Sequence, residues 1–220
     1  MCLIIYCPPG ASRPTKKEIE IAFQCNGDGA GIMYAINGSL HTVKPLWSPK
    51  DVDEELNYIP DEAPLAIHFR FATHGGIDDN MTHPFLLADG TVGMMHNGIL
   101  PTDDDYQGSD TQFWVDTVFW GRGRAFLLSP QFRIHMESLI PGNKILLLDN
   151  RGAVSILNSD RGVFKPDGRW ESTHLLSLPP PSPTYGFRQK YLPYYETDTA
   201  ESDRWENAFN MRQEIERQER

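Results

Sequence analysis

Three places in this chain have residue types suited to chemistry: a cysteine at position 2, the stretch HFRFATHGG at His68–Gly76, and the triplet HNG at His96–Gly98. Removal of Met1 is expected before a residue as small as cysteine, and it would leave Cys2 with a nucleophile and a base in one residue. The thiolate is the attacking species, and the α-amine, with an ordinary pKa of about 7.7–8.0, can accept the thiol proton near neutral pH. Asn97 offers a side-chain amide and Gly98 a backbone N–H to a developing oxyanion. Arg70, with Thr73 and His74 close by, suits a planar carboxylate. Together these parts describe acyl transfer on an amino-acid-like substrate.

Taken singly, each residue has a plainer explanation. Cys2 could be a small hydrophobe filling the core at a strand start. His68 could be a hydrogen-bonded structural histidine, and Asp110 a helix-cap carboxylate. His68, His74, His83 and His96 fall close together, but no HExxH and no His/carboxylate spacing accompanies them, so no metal site is expected. Nor does any motif call for a cofactor.

The elements that must position these residues are bounded by composition. A chain of 220 residues suits one sizeable domain with its own core. Its 40% hydrophobic and 23% charged residues are ordinary globular values. A net charge of −10 argues against binding nucleic acid, which relies on Lys and Arg at phosphates. Cys2, Cys7 and Cys25 are odd in number and lack CxxC spacing, so neither a disulfide framework nor a zinc ribbon is suggested. A reducing cytoplasm is the expected setting. The start, MCLIIYCPPG, lacks the basic and extended apolar regions of a signal peptide. No segment approaches the roughly 20 apolar residues of a membrane span. The run LIIYC reads instead as a buried first strand that holds Cys2 at its end.

Thr15 caps an expected helix to about Phe23, and NGDGAG at Asn26–Gly31 is a glycine turn into the strand IMYAI. That turn lacks the GK[ST] ending of a phosphate loop. A strand around Leu40–Lys44 completes a hairpin across Asn37-Gly38. A short helix is expected over Asp51–Leu56. In LAIHFRFAT, Leu65, Ile67, Phe69 and Phe71 alternate with Ala66, His68 and Arg70, the pattern of a strand. TVGMMHN is a strand apolar on both faces. A helix runs from Ser109 to about Trp120, and KILLLDNRGAVSIL is a hairpin around Asp149–Gly152. Hairpins with intervening helices indicate a layered α/β or α+β fold with largely antiparallel pairing. LPPPSP at Leu178–Pro183 ends the expected domain, residues 1–178. Residues 179–220 are then a Pro-rich segment and an acidic tail, helical with a thin stripe of Trp205, Ala208, Phe209 and Ile215.

The order of the motifs adds what no single residue carries. Cys2, HFRFATHG at His68–Gly75, NMTHPF at Asn80–Phe85, HNGIL at His96–Leu100 and SDT at Ser109–Thr111 resemble the class II glutamine amidotransferases. Members of that family have an amino-terminal nucleophile. NGDGAGI at Asn26–Ile32 looks like the family's glycine turn, and NSDRGVFKPDGRWEST at Asn158–Thr173 is similar to a weaker closing pattern of stand-alone members. The resemblance covers Cys2 to Thr173. It implies an α+β fold, a four-layer αββα sandwich of the N-terminal nucleophile hydrolase type with mostly antiparallel sheets.

The resemblance also implies roles. Cys2 attacks the γ-carboxamide of glutamine to give a γ-glutamyl thioester and ammonia. Asn97 and Gly98 form the oxyanion hole; Arg70, Thr73 and His74 hold the α-carboxylate; Asp110 holds the α-ammonium. Two departures touch packing: Cys2-Leu3 stands where many members have Cys-Gly, and Arg70-Phe71 where they have Arg-Trp. A third concerns the ammonia. After Thr173 no stretch is long enough for a synthase, phosphoribosyltransferase or isomerase domain, so the acceptor is expected on a separate protein, or is water. Two other functions fit the same residues: hydrolysis of a γ-glutamyl amide larger than glutamine, and a non-catalytic binding module that keeps the fold.

Overall fold

A computed structural model of the chain describes residues 2–71, 81–103 and 105–177. Thr73 and His74 lie outside the described residues, as do the expected domain end at 178 and the tail 179–220.

Fifteen strands and helices form these described segments. In chain order they are β1 (Leu3–Cys7), α1 (Lys16–Cys25), β2 (Ala30–Ile36), β3 (Ser39–Leu46), α2 (Pro49–Leu56), β4 (Leu65–Phe69), β5 (Phe85–Leu87) and β6 (Val92–Asn97). There follow α3 (Asp110–Thr117), α4 (Arg124–Leu127), α5 (Pro130–Leu139), β7 (Lys144–Asp149), β8 (Val154–Leu157), β9 (Val163–Phe164) and β10 (Trp170–Glu171). One sheet has the order β3-β2-β4-β1-β10-β9 and the other β5-β6-β7-β8, with antiparallel pairing throughout. Among the described residues no helix is long and apolar enough to cross a membrane.

Alternation along the strands builds three layers of core. Leu3, Ile5, Leu65, Ile67 and Phe69 face α1 and α2, whose Ile19, Phe23 and Val52 cover them. The opposite faces meet between the sheets, where Ile4, Tyr6, Met33, Ala66 and Trp170 pack on Met95, Leu146 and Leu148. Beyond the second sheet, Val92, Met94, Ile145 and Leu147 face Trp114, Leu127, Phe132 and Met136 of α3 to α5. The result is the expected αββα order of layers.

Local chemistry sets the ends of the elements. Thr15 and Glu18 close a capping box at α1, with the Glu18 carboxylate accepting the Thr15 N–H at 2.7 Å. The helix runs to Cys25, two residues beyond the expected Phe23. Asn37 (φ 53°) and Gly38 (φ 76°) turn the β2–β3 hairpin in the left-handed region, as an Asn-Gly pair favours. Ser109 caps α3, its hydroxyl accepting the Gln112 N–H at 3.1 Å. That helix stops at Thr117 rather than near Trp120.

Candidate active site

Cys2 lies one residue before β1, and the alternation of that strand puts it on the face of Ile4 and Tyr6, toward the second sheet. The register Leu3↔Phe69 brings the residue after β4, Arg70, opposite Cys2. The next residue holds the sulfur on both sides: the Phe71 N–H donates to Cys2 Sγ at 3.4 Å, and the thiol points at the Phe71 carbonyl at 3.6 Å. Burial pushes the Cys2 thiol above its ordinary range, while the Phe71 N–H and the positive charge of Arg70 oppose that shift. Asp110 adds a smaller push upward.

The glycine turn after α1 fixes Arg70. Its N–H donates to the Gly29 carbonyl at 2.8 Å, and its carbonyl accepts the Asp28 N–H at 3.1 Å. Gly29 has φ +108°, a conformation open to glycine, and Arg70 itself is buried. The NGDG motif is thus a brace for the arginine, and no phosphate cradle is needed to explain it.

Asn97 ends β6 on the face of Met95 and so looks across at the first sheet. Its side-chain Nδ2 donates to Ser172 Oγ at 2.8 Å. Gly98 follows with φ +149°, and a Cβ there would stand 2.2 Å from Asn143 Oδ1. The same Asn143 oxygen accepts His96 Nε2–H at 2.9 Å, leaving His96 Nδ1 to accept the Thr111 hydroxyl at 2.8 Å. The HNG triplet is therefore held at its first residue by outward hydrogen bonds and at its third by a steric limit.

Asp110 is the first residue of α3. Its Oδ2 accepts the Leu100 N–H at 2.7 Å and its Oδ1 the Thr111 N–H at 2.7 Å. The carboxylate thus ties the loop after HNG to the helix, with the Thr111 hydroxyl also 3.3 Å from Oδ1. His68 is buried, and its Nε2–H donates to the His96 carbonyl at 3.1 Å, joining the strand of Arg70 to the strand of Asn97. Burial pushes its pKa down to about 3, the hydrogen bond to the His96 carbonyl opposing the shift and the charge of Arg70 adding to it. His83 lies against it with its ring tilted by 43°, centroids 4.0 Å apart, and burial holds that ring well below the ordinary histidine pKa too.

The structure thus brings Cys2, Arg70, Asn97 and Gly98 to one end of the layer between the sheets, with Asp110 close enough to act on the thiol electrostatically. A residue that sequence reasoning did not single out is also there. Ser172 follows β10, and only its place in the closing NSDRGVFKPDGRWEST stretch hinted at it. Among the described residues no group of three His, Cys, Asp or Glu side chains is placed to hold a metal ion.

Over 75 residues the chain is 39% identical to a glutamine–fructose-6-phosphate aminotransferase (isomerizing) of Streptomyces coelicolor, a match spanning 33% of this chain and 12% of that protein. The corresponding enzyme of Leifsonia xyli subsp. xyli is 42% identical over 76 residues, with the same coverage. The chain thus spans about an eighth of the length of the curated relatives it matches. No protein-family model matches it. Its fold is similar to that of the allosteric regulatory enzyme of purine biosynthesis, with a TM-score of 0.50, 15% identity, and coverage of 80% of this chain and 43% of that one. The layered α+β fold expected from the sequence therefore has a counterpart among solved structures.

Proposed function

We propose that this chain is a class II glutamine amidotransferase of the stand-alone type, with mature Cys2 as its nucleophile. The observation that carries the reading is that Arg70 stands opposite Cys2 while Ser172 ties Ile4, two residues after Cys2, to Asn97 across the gap between the sheets. Attack of the Cys2 sulfur on the γ-carbonyl carbon of glutamine makes a tetrahedral oxyanion, for which the Asn97 amide and the Gly98 N–H are the donors. Collapse of that species breaks the C–N bond, releases ammonia and leaves a γ-glutamyl thioester, which water cleaves to glutamate. Because burial keeps the resting sulfur protonated, the step needs a base beside it. The free α-amine of Cys2 fills that role and then delivers the proton to the departing nitrogen. Arg70, with Thr73 and His74, holds the α-carboxylate, and Asp110 takes the α-ammonium by charge complementarity. The sequence match to glutamine-dependent aminotransferases supports glutamine as the donor. The released ammonia then passes to an acceptor on a partner protein.

Intact-mass measurement of the purified protein, before and after reaction with an electrophilic glutamine analogue, tests this directly. The expected result is loss of Met1 and a single adduct on Cys2. Retention of Met1 in cell-made protein would convert the proposed base into an amide and sink the mechanism. A substrate panel then fixes the donor: ammonia from glutamine is expected. Turnover confined to larger γ-glutamyl amides would transfer the same machinery to hydrolysis of such a metabolite.

A further inference from the structure

Ser172 is completely buried where β10 runs out beside β1. The register Ile5↔Glu171 and Tyr6↔Trp170 continues to Ile4 and Ser172, and the Ser172 N–H donates to the Ile4 carbonyl at 2.9 Å. The return bond of this pair comes from the side chain. Ile4 N–H donates to Ser172 Oγ at 2.8 Å, where a regular ladder would use the backbone carbonyl. This substitution sets the hydroxyl oxygen at the face of β1 that looks toward the second sheet. There it accepts its other hydrogen bond, from Asn97 Nδ2 at 2.8 Å. The Asn97 Oδ1 is buried and has no hydrogen-bond partner among the described residues. Ser172 is therefore the described group that sets the orientation of the Asn97 amide.

On the reading of the site given above, we propose that Ser172 is a positioning residue that aligns the oxyanion donor with the nucleophile. One hydrogen of Asn97 Nδ2 is given to Ser172, and this aims the second at the place where the tetrahedral oxygen develops. Because the same hydroxyl is held by Ile4, two residues after Cys2, the donor is referenced to the nucleophile's own strand across the gap between the sheets. The helix, turn and loop contacts of the HNG triplet fix His96 and Gly98, and Ser172 completes the set at Asn97.

Kinetics of Ser172→Ala, Asn97→Ala and the double variant test the proposal, each checked for folding by circular dichroism. Removing the hydroxyl should lower kcat about 10- to 100-fold with KM within about 3-fold, the signature of a contact that matters in the transition state. Carbamidomethylation of Cys2 by iodoacetamide, which displaces iodide and needs no oxyanion hole, should keep its rate within about 3-fold of the parent. In the Asn97→Ala background the Ser172→Ala change should cost less than about 3-fold more, since the residue it acts through is gone. A penalty that persists in that background, a kcat equal to the parent's, or an alkylation rate that falls in step with kcat would each overturn the proposal. If Ser172→Ala does not fold, Ser172→Cys, with similar volume and a poor acceptor, reads the same ratios. A parent protein inactive on glutamine and on γ-glutamyl amides alike would instead bring down the site assignment itself, and this proposal with it.

Discussion

Gly98 shows how narrowly a single position is set. Its φ of +149° strains any other residue, and a Cβ would stand 2.2 Å from Asn143 Oδ1 and 3.1 Å from Asn143 Cα. Asn143 cannot simply swing aside, because its oxygen accepts His96 Nε2–H. Gly98→Ala must therefore move backbone, at a cost of about 1–3 kcal/mol for the strained conformation, and it takes the proposed oxyanion N–H with it. Loss of one such donor lowers kcat by about 10²–10³, so thermal midpoint and kcat should fall together. A variant with unchanged kcat would remove Gly98 from the oxyanion hole. At this scale the sequence was readable wherever a residue type carries its own chemistry. A thiol at position 2, a guanidinium and an Asn-Gly pair each announce what they can do. Ser172 does not, because a serine acquires its role only through a cross-sheet neighbour that no local spacing reveals. Asp110 turned out to hold both Leu100 and Thr111, so its plainer meaning as a first-turn carboxylate is present whatever else it binds.

The elements place these residues through a few close approaches, and β2 makes the closest. Gly31 pairs with His68, and a Cβ at Gly31 would fall 2.0 Å from the His83 carbonyl oxygen. That atom is backbone and cannot rotate away, so Gly31→Ala should separate β2 from the segment leading into β5. Overpacking of this kind costs about 1–3 kcal/mol, which a denaturant titration would register as a lower midpoint at unchanged slope. An unshifted midpoint would mean that the segment yields freely. The hairpins and the strands β4, β6 and β7 were legible because alternation and Asn-Gly turns are local signals. The helices α4 and α5 were not. In α5 only Phe132 and Met136 are buried, while Ile134 and Leu139 face outward, so its apolar stripe is too thin to announce a helix. The strands β9 and β10 are two residues each, shorter than any period can show. Yet β10 covers the free edge of β1 and delivers Ser172 to the site.

Over the whole molecule, acid should be the condition the fold tolerates least. His68, His83 and His96 are buried, and burial holds each below its ordinary pKa, His68 at about 3. In the unfolded chain a histidine takes up its proton near pH 6.5. Between that pH and about 3 the unfolded state thus binds a proton that folded His68 refuses, so stability rises with pH through this window and is fully present above it. At pH 5 the loss from His68 alone is about 2 kcal/mol. His83 and His96 act in the same direction. Glu18, held below its usual range chiefly by the Arg169 hydrogen bond against its burial, extends the loss to lower pH. Glu171 works the other way: burial raises its carboxyl, so protonation there favours the folded state as pH falls. Denaturation midpoints measured at pH 7.5 and pH 5 should differ by several times the error of the method, and equal midpoints would contradict buried neutral rings. His68→Gln separates the contributions, because its amide can still donate to the His96 carbonyl but cannot titrate. That variant should lose part of the pH dependence while keeping much of its stability at pH 7.5. If its slope between the two pH values matches the parent's, His68 carries none of the acid sensitivity and His83 with His96 must account for all of it.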